Sequence, residues 1–247
     1  MTGIGLTLTL VRHGESVGNV AAAQAQASNS EVVDVPARDA DVCLSERGIA
    51  QARALGSALA AGGGLPAVDS LWCSPYLRAQ QTAQICLEEA GVTVPGRIDE
   101  RLRDRDLGVL DTLTGDGIQR RYPEEAARRR WLGKFYHRPA GGESWADVIG
   151  RVRSVMRDIS DLESGRHVLV VSHDVVIMSF RYVAEMLTED EVLSIAGDSP
   201  LLNASVTRFA RDADGRWHVE RYNDATHVER SEAAVTRHPG ERHEQPG

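Results

Sequence analysis

Leu6-Thr7-Leu8-Thr9-Leu10-Val11-Arg12-His13-Gly14-Glu15-Ser16 is the stretch on which the fold turns. Residues 6–11 are short, apolar and rich in Leu, Thr and Val, which predicts a strand, and the Glu, Val and Ala that follow Gly14 predict a helix. The same strand-to-helix step recurs. Residues 68–73 read as a strand, and Ser74-Pro75 supplies a capping residue and a first-turn proline for the next helix. HVLVVS, residues 167–172, is a continuous apolar run suited to a parallel strand buried on both faces, and residues 175–187 read as a packed helix after it. Between these units, Ser45 opens a helical pattern through Ile49, Ala52, Leu55 and Leu59 that Gly62, Gly63 and Gly64 stop. The strongest helical pattern spans residues 143–162, where Trp145, Val148, Ile149, Val152, Val155, Met156 and Ile159 recur every three or four positions behind a Ser144-x-x-Asp147 capping box. Strands alternating with helices predict an α/β fold with a parallel sheet.

The remainder is less regular. Residues 24–42 are polar and aperiodic, which predicts a loop. Residues 107–142 are rich in arginine with two short helical patches, predicting a small helical lid. Residues 203–211 and 217–223 flank the turn-forming Asp212-Ala213-Asp214-Gly215 and read as a hairpin added late. From Ala225 the chain is polar and patternless, so the reading is one domain over residues 1–224 and a disordered tail over 225–247.

Composition narrows the function classes. Over 247 residues, 28 Lys and Arg stand against 36 Asp and Glu, a formal charge of −8 that argues against a nonspecific binder of nucleic acid or of acidic membranes. Any anionic ligand must therefore meet local positive charge. Lys134 is the only lysine; 27 of the 28 basic residues are arginine, the side chain suited to forked recognition of phosphate, although biased coding produces the same composition. No apolar run approaches the roughly 18–20 residues a membrane span needs, and the N-terminus reads as a strand rather than a leader. Cys43, Cys73 and Cys86 are odd in number and lack metal-ligand spacing, which points to a reducing, cytoplasmic setting.

Arg12-His13-Gly14 falls where the first strand ends, the edge at which open parallel sheets bind ligands. Backbone N–H groups at a helix start, close backbone approach at Gly14 and the charge of Arg12 together suit a phosphoryl group. A neutral imidazole there can act as a nucleophile, and neighbouring arginines keep it neutral; a histidine merely satisfied at a strand end is the alternative. His173 follows HVLVVS at an equivalent position, so the two histidines converge on one crevice. Arg78, in CSPYLRAQQTA, either points into that crevice or lies solvated on its helix.

Leu10 to Ser16 with Asn19, Leu44-Ser45-Glu46-Arg47-Gly48, Cys73-Ser74-Pro75 with Arg78 and Thr82, Gly142-Glu143-Ser144 and Val171-Ser172-His173 together resemble the histidine phosphatase superfamily, in family order over residues 6–203. The resemblance implies a three-layer α/β sandwich with a mostly parallel central sheet. It implies His13 as the phosphorylated nucleophile, Arg12, Arg78 and His173 as the groups that hold the transferring phosphoryl, and Ser16 and Asn19 as further substrate-binding positions. The general acid aligns with Asp104 in LRDRDLG, shorter by one methylene than the commoner glutamate, with Asp106 and Glu100 as alternatives.

The expected activity is a metal-independent, cofactor-free hydrolysis of a small phosphomonoester through a phosphohistidine. Two alternatives stand beside it: phosphoglycerate mutase-type transfer, and a noncatalytic module that binds a phosphorylated ligand. Family mutases carry a long insertion before Gly-Glu-Ser and commonly a glycine after the second histidine. Here Glu143 follows Asp104 by 39 positions and Asp174 follows His173, and both departures favour hydrolysis. Arg120, Arg121 and Arg128-Arg129-Arg130 in the lid read as a solvated face, or as contacts to a second anionic group; Trp131, Phe135 and Tyr136 read as core. His137, His167, His218, His227, His238 and His243 show no metal spacing, and the late hairpin offers an edge through which a homodimer can form.

Overall fold

In β1 (Thr7–Arg12) and β4 (His167–Ser172) both faces of the strand are buried, and successive residues serve different cores. Leu8, Leu10, Val168 and Val170 pack on one side with residues of α6 (Trp145–Leu162) and α7 (Asp174–Glu185). Val11, Leu169 and Val171 pack on the other with residues of α2 (Glu46–Ala60) and α3 (Leu77–Ala90). Helices therefore cover both faces of the sheet, the three-layer arrangement that a continuous apolar strand requires. Each of these Val and Leu side chains contributes about 1.5–3 kcal/mol by leaving water. The computed structural model from which these contacts come describes residues 5–35, 38–62 and 65–237.

The six-stranded sheet has the order β3-β2-β4-β1-β5-β6, with β2 (Ser70–Cys73), β3 (Gly96–Ile98), β5 (Val206–Arg211) and β6 (Trp217–Asp224) completing it. The first four strands in this row run parallel; β5 and β6 are antiparallel and form the hairpin read from the sequence. Arg12 pairs with Ser172 and Cys73 with Val171, so His13, His173 and Ser74 leave neighbouring strands at one edge of the sheet. No helix among the described residues is long and apolar enough to cross a membrane.

Several elements depart from the sequence reading. α1 (Val17–Ala27) takes the first residues of the expected 24–42 loop, and a 3₁₀ turn at Asp39–Asp41 lies within the rest. β3, three exposed residues, and α8 (Glu189–Asp198) have too little pattern to be read in advance. α3 begins at Leu77 behind Tyr76 with no side-chain cap, because Ser74 is turned to another use. α2 ends at Ala60, with Gly62 at φ +62°, while Gly63 and Gly64 lie outside the described residues. The 107–142 segment holds α4 (Gly115–Arg121) and α5 (Pro123–Tyr136). Of its aromatic residues only Phe135 is core; Trp131 is 84% exposed and Tyr136 53%, because both lie on the outer side of α5.

The expected tail needs a larger correction. Residues 225–237 form α9 (Thr226–Glu229) and then return to the nucleophile loop, and only residues 238–247 fall outside the description. Fully buried Gln51 donates from Nε2 to the Ala234 carbonyl and to Thr236 Oγ1, both at 2.8 Å. Thr236 Oγ1 in turn donates to Asn203 Oδ1 at 3.1 Å. Gln51 and Asn203 are fully buried and Thr236 half-buried, and hydrogen bonds that satisfy buried polar groups hold a patternless segment in place. Thr236→Val is expected to cost Gln51 one of its two acceptors and Asn203 Oδ1 its donor, and to lower unfolding free energy by about 1–3 kcal/mol, read as a reduced urea midpoint at unchanged slope. An unchanged midpoint would remove this role from the segment.

Candidate active site

The nucleophile loop is fixed by its main chain. Gly14 N donates to Thr82 Oγ1 at 3.0 Å, Glu15 N to Gln51 Oε1 at 2.8 Å and Ser16 N to Asn19 Oδ1 at 3.1 Å. The expected backbone cradle for an anion is thus already satisfied within the protein. The missing side chain of Gly14 also serves packing, since a Cβ there would stand 2.6 Å from the Gly48 carbonyl oxygen. Positive charge at this edge comes instead from side chains.

His13 is buried, and its Nδ1 donates to the Gly14 carbonyl oxygen at 2.7 Å. That bond fixes the tautomer and leaves Nε2 with a lone pair and no hydrogen-bond partner among the described residues. Burial, then the charges of Arg78, His173 and Arg12, hold its pKa well below the usual histidine value, so the ring is neutral at neutral pH. The His173 ring lies with its centroid 5.1 Å away at 59°. Its Nε2 is 2.8 Å from Ser74 Oγ, and its Nδ1 is 3.2 Å from Asp104 Oδ2, within ion-pair reach but outside hydrogen-bond alignment. Burial lowers the pKa of this second imidazole against the pull of Asp104.

Two guanidinium groups complete the cluster. Buried Arg12 donates from Nη1 to the Leu201 carbonyl, and its Nε has no acceptor among the described residues. Arg78 donates from Nη2 to Asp104 Oδ2 at 3.0 Å, and its guanidinium carbon sits 4.9 Å from the centre of the Tyr76 ring. Asp104 is the carboxylate brought to the two histidines. Asp106 instead accepts from Gly108 N at 2.8 Å, and Glu100 sits exposed on the preceding 3₁₀ turn. His173, Arg78 and His13 outweigh burial and hold Asp104 well below the usual carboxylate range.

The loop bearing Asp104 is clamped from α6 and its approach. Arg151 donates to the Arg101 carbonyl at 2.5 Å and the Asp104 carbonyl at 3.1 Å while its Nε meets Glu143 at 3.0 Å. Glu143 also accepts from Arg103 at 2.5 Å and from Asp106 N at 3.2 Å. Gly108, at φ +52°, lets this loop lie against residues 140–142, where a Cβ would stand 2.2 Å from the Ala140 carbonyl oxygen.

Ser16 and Asn19 are brought next to the site in a structural role first, each capping the other at the start of α1. Asn203 Nδ2 donates both to Asn19 Oδ1 and to the His13 carbonyl, each at 3.2 Å. Sequence reasoning missed Ser74, Gln51, Asn203 and Asp39, the last forked on Arg78. The lid arginines stay outside the cluster: Arg120 and Arg121 pair with Glu31 at 3.0 and 2.9 Å. Arg128 lines a separate cleft of about 480 Å³ between α5 and the start of α6.

Donor atoms of His13, Asp104 and His173 lie within 4.8 Å of one another, a spacing that by itself would accommodate a cation. Arg78 on Asp104, with Arg12 buried nearby, brings guanidinium N–H donors to the same point, and these suit an oxyanion. The chemistry open to the cluster is therefore nucleophilic attack by a neutral imidazole on an anion held by fixed positive charge.

The sequence profile described as histidine phosphatase superfamily (branch 1) matches residues 8–225. The chain is 34% identical over 208 residues to a 2,3-bisphosphoglycerate-dependent phosphoglycerate mutase of Methylobacterium radiotolerans, covering 81% of this chain and 91% of that protein. Among solved structures, Bacillus stearothermophilus YhfR superposes with a TM-score of 0.71 at 29% identity, over 90% of this chain and 99% of that one. A mycobacterial glucosyl-3-phosphoglycerate phosphatase bound to VO3 superposes at 0.67 and 28% identity, over 88% and 98%.

Proposed function

The chain belongs to the histidine phosphatase superfamily, branch 1, and we propose that within it the protein is a phosphatase that hydrolyses a small phosphomonoester. The observation that carries this reading is the His13 tautomer: Nδ1 is tied to the Gly14 carbonyl, so the free Nε2 lone pair faces a site lined by His173, Arg12 and Arg78.

In this reading Nε2 attacks phosphorus in line. Arg12, Arg78 and His173 balance charge on the equatorial oxygens, and Asp104 gives its proton to the departing oxygen. A phosphohistidine remains. Water then enters where the alcohol left, Asp104 takes its proton, and attack on phosphorus returns the free imidazole and orthophosphate. Asp104 is ionised in the resting site, so the proton must come with the substrate. The negative charge of a phosphoryl group bound beside Asp104 disfavours the carboxylate and raises its pKa, the direction that lets it take that proton.

Ser16 and Asn19 order the loop that carries His13 and stand ready to meet the substrate beside it. The three free cysteines suit a reducing cytoplasm. Hydrolysis is favoured over transfer by the short approach from Asp104 to Glu143 and by Asp174 after His173; the mutases at 30% identity and above support the second reading, phosphoglycerate mutase-type transfer.

The experiment is a product count. A panel of phosphomonoesters is incubated with and without 2,3-bisphosphoglycerate, and phosphate released is compared with ester consumed. One phosphate per ester, indifferent to the bisphosphate, is expected. Conversion of 3- to 2-phosphoglycerate stimulated by the bisphosphate establishes the mutase instead.

A further inference from the structure

Asp39 stands in the site although none of the motif residues around His13 or His173 implies it. The 3₁₀ turn Asp39–Asp41 places its carboxylate on Arg78: Nη1 donates to Oδ1 at 3.0 Å and to the Asp39 carbonyl at 2.6 Å, and Nη2 to Oδ2 at 3.2 Å. With Asp104 on Nη2 as well, the four Nη hydrogens of Arg78 meet four acceptors. A phosphoryl oxygen can reach the Nη end of this guanidinium only by sharing it with a carboxylate.

Charge arithmetic gives this arrangement a consequence. The two imidazoles are neutral, so the cluster holds the cations Arg12 and Arg78 against the carboxylates Asp104 and Asp39, with the charge of Asp174 also acting on Arg12. Arginines of adjoining segments do not add to the balance: Arg38 is paired with Asp41, Arg47 with Glu15 and Arg103 with Glu143. Further acidic groups gather on the same side. Burial and then Asp39, Asp104 and Asp106 push the Tyr76 hydroxyl up to about 12. Burial and then Asp39 and Asp106 raise Asp111 above the usual carboxylate value. Arg78 is nearly enclosed, at 5% side-chain exposure, whereas Asp39 is 44% exposed, so the carboxylate forms the solvent side of the pair.

We propose that Asp39 is a specificity-determining residue, a negative charge fixed on the phosphate-binding guanidinium that turns away esters whose leaving group carries a second anionic group and admits those whose leaving group is an uncharged polyol or bears a cationic nitrogen. This rests on the phosphatase reading above. One dianionic phosphoryl already exceeds the positive charge that the cluster offers, and a carboxylate on the leaving group adds repulsion from Asp39 while Arg38, Arg47 and Arg103 are engaged with carboxylates of their own. Hydroxyl or ammonium donors on the leaving group find in Asp39 an exposed acceptor.

The test compares glycerol 1-phosphate with 3-phosphoglycerate, which differ at one end by a hydroxymethyl against a carboxylate. The wild-type chain is expected to prefer glycerol 1-phosphate in kcat/KM by about tenfold or more. Asp39→Asn is expected to cut that preference about tenfold, whatever becomes of the absolute rates, while Asp39→Glu retains it. Equilibrium binding of the same two esters to the His13→Ala chain, with and without Asp39→Asn, reads the charge effect where no turnover occurs. A preference that Asp39→Asn leaves unchanged, or a wild-type preference for 3-phosphoglycerate, overturns the proposal. Absence of hydrolysis of any ester by the wild-type chain overturns the phosphatase reading instead, and the binding comparison still decides for or against Asp39.

Discussion

His13→Ala is expected to abolish phosphate release, with kcat lowered on the order of 10⁴–10⁶-fold, the scale on which loss of a covalent nucleophile is measured. The wild-type chain, quenched in base within milliseconds of mixing with labelled ester, is expected to hold an acid-labile, base-stable phosphoryl group, and the variant none. The loss is not a folding artefact, because the loop is held by main-chain groups that alanine keeps: the residue-13 carbonyl still accepts from Asn203 Nδ2 and Ala204 N, and Gly14 N still meets Thr82. Thermal unfolding of the variant within a few degrees of wild type is the control. Because burial and the surrounding cations hold the His13 pKa well below its ordinary value, phosphorylation is expected to persist as pH falls through 6.5, where an unperturbed imidazole would be half protonated. A rate that halves near pH 6.5 with a substrate already monoanionic would contradict the neutral, buried nucleophile. Phosphate release that survives His13→Ala would end the covalent mechanism altogether.

How much of this was legible in the sequence depends on where the signal lies. The three layers were legible because β4 carries an unbroken apolar run, Val168 to Val171, and α6 repeats its apolar residues every three or four places; each pattern has one packing solution. The juxtaposition of His13 and His173 was legible for the same reason, since both follow a parallel strand and parallel pairing aligns their ends. Asp104, Ser74 and Asp39 differ in kind. LRDRDLG holds carboxylates two positions apart, and only the clamp by Arg151 and Glu143 decides that Asp104 turns inward while Asp106 caps Gly108 N. Ser74 carries the signature of a helix cap, and its hydroxyl is used for His173 instead. Gly14 read as an opening for a ligand and proves to be a close approach of the nucleophile loop to the first turn of α2, since backbone proximity between residues 14 and 48 leaves no periodicity. The segment after Ala225 reads as patternless because it is anchored by Gln51 and Asn203 through two carbonyls and one hydroxyl, contacts that any polar stretch can make.

Asp104→Asn separates the proton-transfer role from a merely electrostatic one, because the two predict different dependence on the leaving group. A group that protonates the departing oxygen matters most when that oxygen is basic. Hydrolysis of an alkyl phosphate is therefore expected to fall about 10²–10⁴-fold. An aryl phosphate with an acidic phenol needs no such help in the first step, and the variant is expected to release one equivalent of phenol at close to the wild-type rate. It then stalls as the phosphohistidine, since the base for water is gone. The pH profile carries the sign of the same argument. In the free protein Asp104 is held well below the usual carboxylate range, so it binds no proton at neutral pH, and the productive complex draws its proton from the monoanionic ester, whose second pKa is about 6. Wild-type kcat/KM for an alkyl ester is expected to be level on the acid side of about pH 6 and to fall about tenfold per unit above it, whereas the variant, requiring no shared proton, loses that alkaline limb. Equal losses for alkyl and aryl esters, or an alkaline limb that survives in Asp104→Asn, would leave Asp104 as a charge on Arg78 and His173 and send the search for the acid back to Asp106 and Glu100.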